Sequence, residues 1–247
     1  MTVAEQHLIL RVAGDLLRSS EAHRVLDREG VTALYDEAVR ISGGEGSIPS
    51  NQTTTRFADR LIASGLLSRV QRDLYANRAV EPAVQPNELT PKLRDGAVVG
   101  LYTVLGEIGI AHNPSRVVTA LMPASSRSIG LKRRVETPVG DFRFIGISEE
   151  IFFAGSEADR LDPIFSYPRA TPERALCDWI YLAIQRGPGK IASPPLDLAA
   201  EELDQDRVGR LADAMGVRGY VEAWMAQRAI FLEDEEAEEK FSQKLGF

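Results

Sequence analysis

Residues 51–77 read NQTTTRFADRLIASGLLSRVQRDLYAN, and this stretch decides how the first third of the chain is built. Phe57, Leu61 and Ile62 recur at a spacing that lines one apolar stripe along a helix. Asn51, Gln52 and Thr53 stand at its start, where short polar side chains cap orphan amides. Gly65 follows the last turn as a stop signal. Arg56 and Arg60 are one turn apart, so they share a face that points away from the stripe. After Gly65, Leu66–Val70 and Leu74-Tyr75 form two short apolar runs around a polar tip, Gln71-Arg72-Asp73, as in a β-hairpin.

A polar-fronted helix followed by a hairpin is the pattern of a recognition helix and wing in a winged helix-turn-helix. Such helices contact bases mainly through their N-terminal residues. Asn and Gln side chains pair bidentately with adenine, and Arg with guanine. The expected base readers are therefore Asn51, Gln52, Thr53 and Arg56. Arg60, Arg69 and Arg72 are the expected phosphate contacts. From Ser50 to Arg78 the sequence holds five Arg and two Asp, a net of +3 inside a chain of net charge −7. The competing reading is an ordinary amphipathic helix and hairpin, with Arg56 paired to Asp59 and the other cations simply solvated.

The acidic balance argues against a general nucleic-acid coat, but its distribution is uneven. Residues 1–78 carry ten basic and ten acidic groups, whereas residues 201–247 carry six basic and twelve acidic. A locally basic face can bind phosphates while acidic surroundings limit non-specific binding. At 247 residues, with 44% hydrophobic and 26% charged composition, an ordinary globular chain of two domains is expected. No apolar run approaches the length of a membrane span, and MTVAEQHLILRV lacks the features of a secretory signal, so a cytoplasmic protein is expected. The single cysteine, Cys177, lies in an apolar run and reads as a core residue.

The expected organisation is α+β. Leu8, Ile9, Val12, Ala13, Leu16 and Leu17 give a first helix, and Leu34, Ala38 and Ile41 mark a second. Ser42–Ser47 (SGGEGS) reads as a connector, since it lacks the Gly-Lys-Ser/Thr of a phosphate loop. The winged helix-turn-helix domain is thus 1–78. Residues 79–95, rich in proline, read as a linker or lead-in. An α+β domain follows over 96–247. Within it, Ala97–Ile110 is mostly apolar and expected to be helical, while Arg116–Met122 and Asp141–Ile147 are strand-like. Thr171-Pro172-Glu173 is a helix start: Thr caps, Pro suits the first position and Glu favours the positive dipole end. Arg127, Lys132, Arg133 and Arg134 form a possible second basic patch, or else a solvated hairpin face.

The order and spacing of Leu61–Tyr75 (LIASGLLSRVQRDLY) and Ala170–Asp178 (ATPERALCD), with Val98–Ile110, Val117–Pro123 and Phe142–Gly146 between them, resembles the AbiEi family. These are antitoxins of type IV toxin–antitoxin and phage abortive-infection systems. The resemblance covers most of residues 50–185. It implies a transcriptional autoregulator whose winged helix binds double-stranded DNA at repeats in its own promoter. It also implies a C-terminal domain that counters a separate nucleotidyltransferase-like toxin. It carries the DNA-binding role over to Asn51–Arg60 and Arg69–Arg72, and supplies no catalytic residues. The family's wing usually has Arg-Gly before its Tyr, where this chain has Arg72-Asp73-Leu74; Asp accepts positive φ less readily than Gly.

Catalysis is not expected. A nucleotidyltransferase needs Gly-Ser followed closely by Asp-x-Asp, whereas Gly155-Ser156 and Asp204-Gln205-Asp206 are far apart in sequence. His7, His23 and His112 lack ligand spacing, so no metal and no cofactor is expected. Two other functions stay open: a protein-interaction module whose winged helix reads no DNA, and a regulator whose second domain binds a small effector. An intact cavity there favours the effector reading, and a flat charged surface the antitoxin one.

Overall fold

The computed structural model describes residues 2–19, 24–45, 49–112, 115–125, 132–185 and 190–245, with the side chains of Val3, Lys132, Arg133 and residues 235–245 left aside. The protein is a mixed α+β chain with two sheets. It divides into two compact units, residues 1–92 with 136–140, and residues 93–135 with 141–247.

The first unit begins with α1 (Val3–Ser19), β1 (Val25–Asp27) and α2 (Arg28–Ile41). It continues with α3 (Asn51–Ala63) and the strands β2 (Leu67–Gln71) and β3 (Leu74–Asn77). The three helices form because each buries an apolar stripe in a shared core. Ile9, Ala13 and Leu17 come from α1, Val31, Leu34 and Ala38 from α2, and Phe57, Ala58 and Leu61 from α3. Leu8 and Ile41, expected on the apolar stripes, are exposed instead. Tyr35 meets Phe57 edge to face at 5.1 Å. The strands form an antiparallel sheet in the order β1-β3-β2, with Leu26 opposite Tyr75. The buried Asn77 amide donates to the Leu17 carbonyl at 2.7 Å, tying β3 to the end of α1.

Asp27 caps α2, its carboxylate accepting from the Gly30 amide at 2.9 Å. That bond, with Lys92 nearby, holds the Asp27 carboxyl below its usual range. The proline-rich stretch 79–95, expected as a linker or lead-in, contains α4 (Pro86–Leu93). Leu89 and Thr90 are fully buried, and Glu88 accepts from Arg24 at 2.6 and 2.8 Å. Pro86 stands where helices tolerate proline, at the first position.

The second unit opens with β4 (Val98–Val99) and α5 (Tyr102–Glu107). The long helix expected over Ala97–Ile110 is therefore not formed. Leu101 sits at φ 53, a left-handed conformation, and splits the segment into a two-residue strand and a short helix. Next come β5 (Val117–Ala124), β6 (Lys132–Thr137) and β7 (Gly140–Ser148), in a sheet of order β4-β5-β7-β6. β5 and β7 run parallel over eight paired positions, from Val117 opposite Asp141 to Ala124 opposite Ser148.

Two short helices, α6 (Glu149–Phe152) and α7 (Glu157–Arg160), lead to α8 (Pro172–Ile184), followed by α9 (Gln205–Ala214) and α10 (Arg218–Leu245). Thr171 caps α8, accepting from the Arg174 amide at 3.2 Å, with Pro172 at the start. Ala175, Leu176, Trp179, Ile180 and Ala183 are buried along it. Cys177 is fully buried, and burial pushes its thiol up to about 12. Ser156 and Asp204 each cap a helix, at α7 and α9. Among the described residues no helix is long and apolar enough to cross a membrane, and no metal-binding cluster is present.

Candidate nucleic-acid interface

The start of α3 is built by Ser50, one residue before the expected caps. Its hydroxyl accepts from the Thr53 amide at 3.2 Å and shares a 2.9 Å bond with the Thr53 hydroxyl. Ser50 takes the capping work, which leaves Asn51 and Gln52 exposed with their side chains outside the cap. The far end closes on Gly65 at φ 75. The Gly65 amide donates to Ile62 and the Leu66 amide to Leu61, each at 2.9 Å.

Burial then fixes which face of α3 is free. Thr54, Phe57, Ala58 and Leu61 point into the core, while Ile62 is only half-buried. Gln52, Arg56 and Asp59 lie on the opposite, exposed side. Arg56 and Arg60 make no ion pair or hydrogen bond with any described residue. They border a cleft of about 170 Å³ shared with Gln6, Leu10 and Tyr35.

Asp59 pairs with Arg69 across the helix–hairpin gap at 2.7 Å, not with its helical neighbour Arg56. Arg69 also lies over the Tyr75 ring, 5.9 Å from its centroid. It is therefore a strand residue opposite Tyr75, set back from the hairpin tip. The tip is two residues, Arg72-Asp73, with the pairing shifted between Arg69 and Gln71. Asp73 takes the φ 59 that a glycine more readily supplies. Arg28, the first residue of α2, grips the Asp73 carboxylate at 2.8 Å. Arg72 meets the same carboxylate only at 3.7 Å, and its side chain is 93% exposed.

Six of the seven expected contact residues, Asn51, Gln52, Arg56, Arg60, Arg69 and Arg72, are exposed on α3 and the hairpin, and Thr53 is half-buried beneath the cap. Arg28 was not legible as part of this surface. It lies 45 residues from its partner, and nothing local marks it. In the expected second basic patch, Arg127 and the side chains of Lys132 and Arg133 fall outside the described residues. Arg134 is exposed and bonded to Asp141 at 2.9 Å. No protein-family model matches the chain, and no curated protein matches it at a significant level.

Proposed function

We propose that residues 1–78 form a winged helix-turn-helix that reads duplex DNA, and that the protein is a cytoplasmic transcriptional autorepressor. The observation that carries this reading is the pair Arg56 and Arg60. They stand exposed on α3 without any described acidic partner, next to the exposed amides of Asn51 and Gln52 and a hairpin tip bearing Arg72. Unpaired arginines on a helix face are matched to phosphate and guanine, and the helix start offers amide side chains for adenine. Asn51, Gln52, Thr53 and Arg56 read bases, while Arg60, Arg69 and Arg72 hold the backbone. Arg69 must exchange its Asp59 partner for phosphate, so it contributes less than Arg72. By resemblance, the protein is an AbiEi-type antitoxin whose second domain counters a nucleotidyltransferase-like toxin; a groove of about 400 Å³ in that domain favours the second reading, a small-effector-responsive regulator.

The test is fluorescence anisotropy of the full chain on its own upstream duplex and on a shuffled duplex, across a salt series. Tighter binding to the native sequence, weakening with salt, is expected. Arg72→Ala should weaken both duplexes alike and reduce the salt slope by about one. Absence of binding at low salt refutes the reading and leaves the interaction-module alternative.

A further inference from the structure

The parallel register of β5 and β7 puts Val117 and Thr119 on one sheet face with Arg143 and Ile145, Thr119 directly opposite Arg143. Beside that face, Tyr102 of α5 and Trp179 of α8 meet edge to face, ring centroids 5.6 Å apart. Together these residues line a groove of about 400 Å³. That volume falls in the range of small-molecule sites, about 300–1,000 Å³. The walls are mostly apolar, and Arg143 is the sole charged residue among the described lining.

The polar atoms divide into two kinds. The Trp179 indole N–H is already engaged by the Ala192 carbonyl at 2.8 Å, so only its ring is offered to the groove. The Thr119 amide likewise donates to the Thr103 hydroxyl at 2.8 Å. The Arg143 guanidinium and the Thr119 hydroxyl have no bond to any described residue. These two residues are paired across β5 and β7 and line the same groove as the aromatic rings, Arg143 from an exposed position. The buried Leu101, which also lines the groove, is held at φ 53, and backbone strain of this kind concentrates at binding sites.

We propose that this groove binds a planar aromatic monocarboxylate. The ring lies against Trp179, Tyr102 and Ile145, and the carboxylate takes the Arg143 fork and the Thr119 hydroxyl. A neutral ring would desolvate Arg143 and Thr119 without giving them a partner. A nucleotide polyphosphate would bring more negative charge than one guanidinium balances.

The test is calorimetric titration of the full chain with naphthoate, and with naphthylmethanol as the uncharged control. No DNA is present, so the outcome is independent of the DNA-binding reading. Saturable naphthoate binding is expected, weakened about ten- to a hundredfold by Arg143→Gln. Thr119→Val, which keeps the side-chain shape, should weaken it several-fold. Naphthylmethanol should bind less tightly than naphthoate and be indifferent to Arg143→Gln. Absence of saturable heat up to the solubility of naphthoate overturns the proposal. So does equal naphthoate affinity in the parent and a natively folded Arg143→Gln variant.

Discussion

Arginine does opposite work on the α3–hairpin surface of the first unit and in the interior of the second. In the first, Arg56, Arg60 and Arg72 project from α3 and the hairpin tip, and the first two have no described partner. In the second, Arg174 is 4% exposed and fully engaged. It meets Asp178 at 2.9 Å and the carbonyls of Ala154 and Ile151 at 2.9 and 2.8 Å. Arg169 is 1% exposed, held by Glu107 and Asp162 and laid over the Phe165 ring at 4.2 Å. A guanidinium taken out of water persists only if its charge is matched inside the protein, and Arg169 meets two carboxylates although its Nη2 has no hydrogen-bond partner among the described residues. One left in water needs no partner and stays available for a ligand. Buried arginines hold this fold, and among the rest an acidic partner separates those already engaged, such as Arg28 and Arg210, from those free to bind, such as Arg56 and Arg60.

The contrast can be broken first where it costs most. Arg174→Met removes the partner of a fully buried Asp178 and leaves the end of α6 without its donor. It should destabilise the chain by about 3–5 kcal/mol in chemical denaturation. A change below about 1 kcal/mol would mean that the pair is replaceable by packing alone. On the exposed side, Arg56→Ala should leave stability within about 0.5 kcal/mol. Its effect should fall on DNA instead, costing about 1–3 kcal/mol and relaxing sequence preference. If Arg56→Ala binds as the parent does, the reading face of α3 has been misassigned.

A smaller effect concerns acid. Burial raises Glu88, but the Arg24 hydrogen bond and the Gln85 amide outweigh it, and the carboxyl stays below its usual range. Asp27 is lowered as well, chiefly by the Gly30 amide. Groups lowered in the folded state stabilise fully above their unfolded pKa, about 4, and lose that contribution as pH falls through the folded value. Stability should therefore decline on acidification below about pH 5, and Glu88→Gln should flatten part of that decline. An identical pH profile for the variant would remove Arg24–Glu88 from the account. Least of all, the exposed Asp59–Arg69 pair should couple by only about 0.2–1 kcal/mol in a double-mutant cycle on stability. A larger value would make it part of the framework and not a pair that Arg69 can leave for phosphate.

What the sequence disclosed follows from range. Phe57 and Leu61, the Thr171-Pro172 helix start and the alternation of Asp141–Ile147 are local patterns, and each marks an element that forms. Ala97–Ile110 misled because apolar composition cannot distinguish a buried helix from a strand and short helix joined at a left-handed residue. The prolines of 79–95 hid α4, because Pro86 sits where a helix start accepts it while Pro91 lies inside the helix, where proline ordinarily signals a break. At the candidate site, the Arg residues of α3 were legible from their spacing. The Asp59–Arg69 and Arg28–Asp73 pairs were not, because they form between elements that only the fold brings together.

The most direct measurement is anisotropy with an Arg56→Ala/Arg60→Ala double variant on the native and shuffled duplexes, with thermal melting of the same sample. An unchanged melting temperature is expected, together with loss of the preference for the native duplex. A variant that keeps its preference, or a parent chain with no affinity for either duplex at low salt, would contradict the DNA-binding reading.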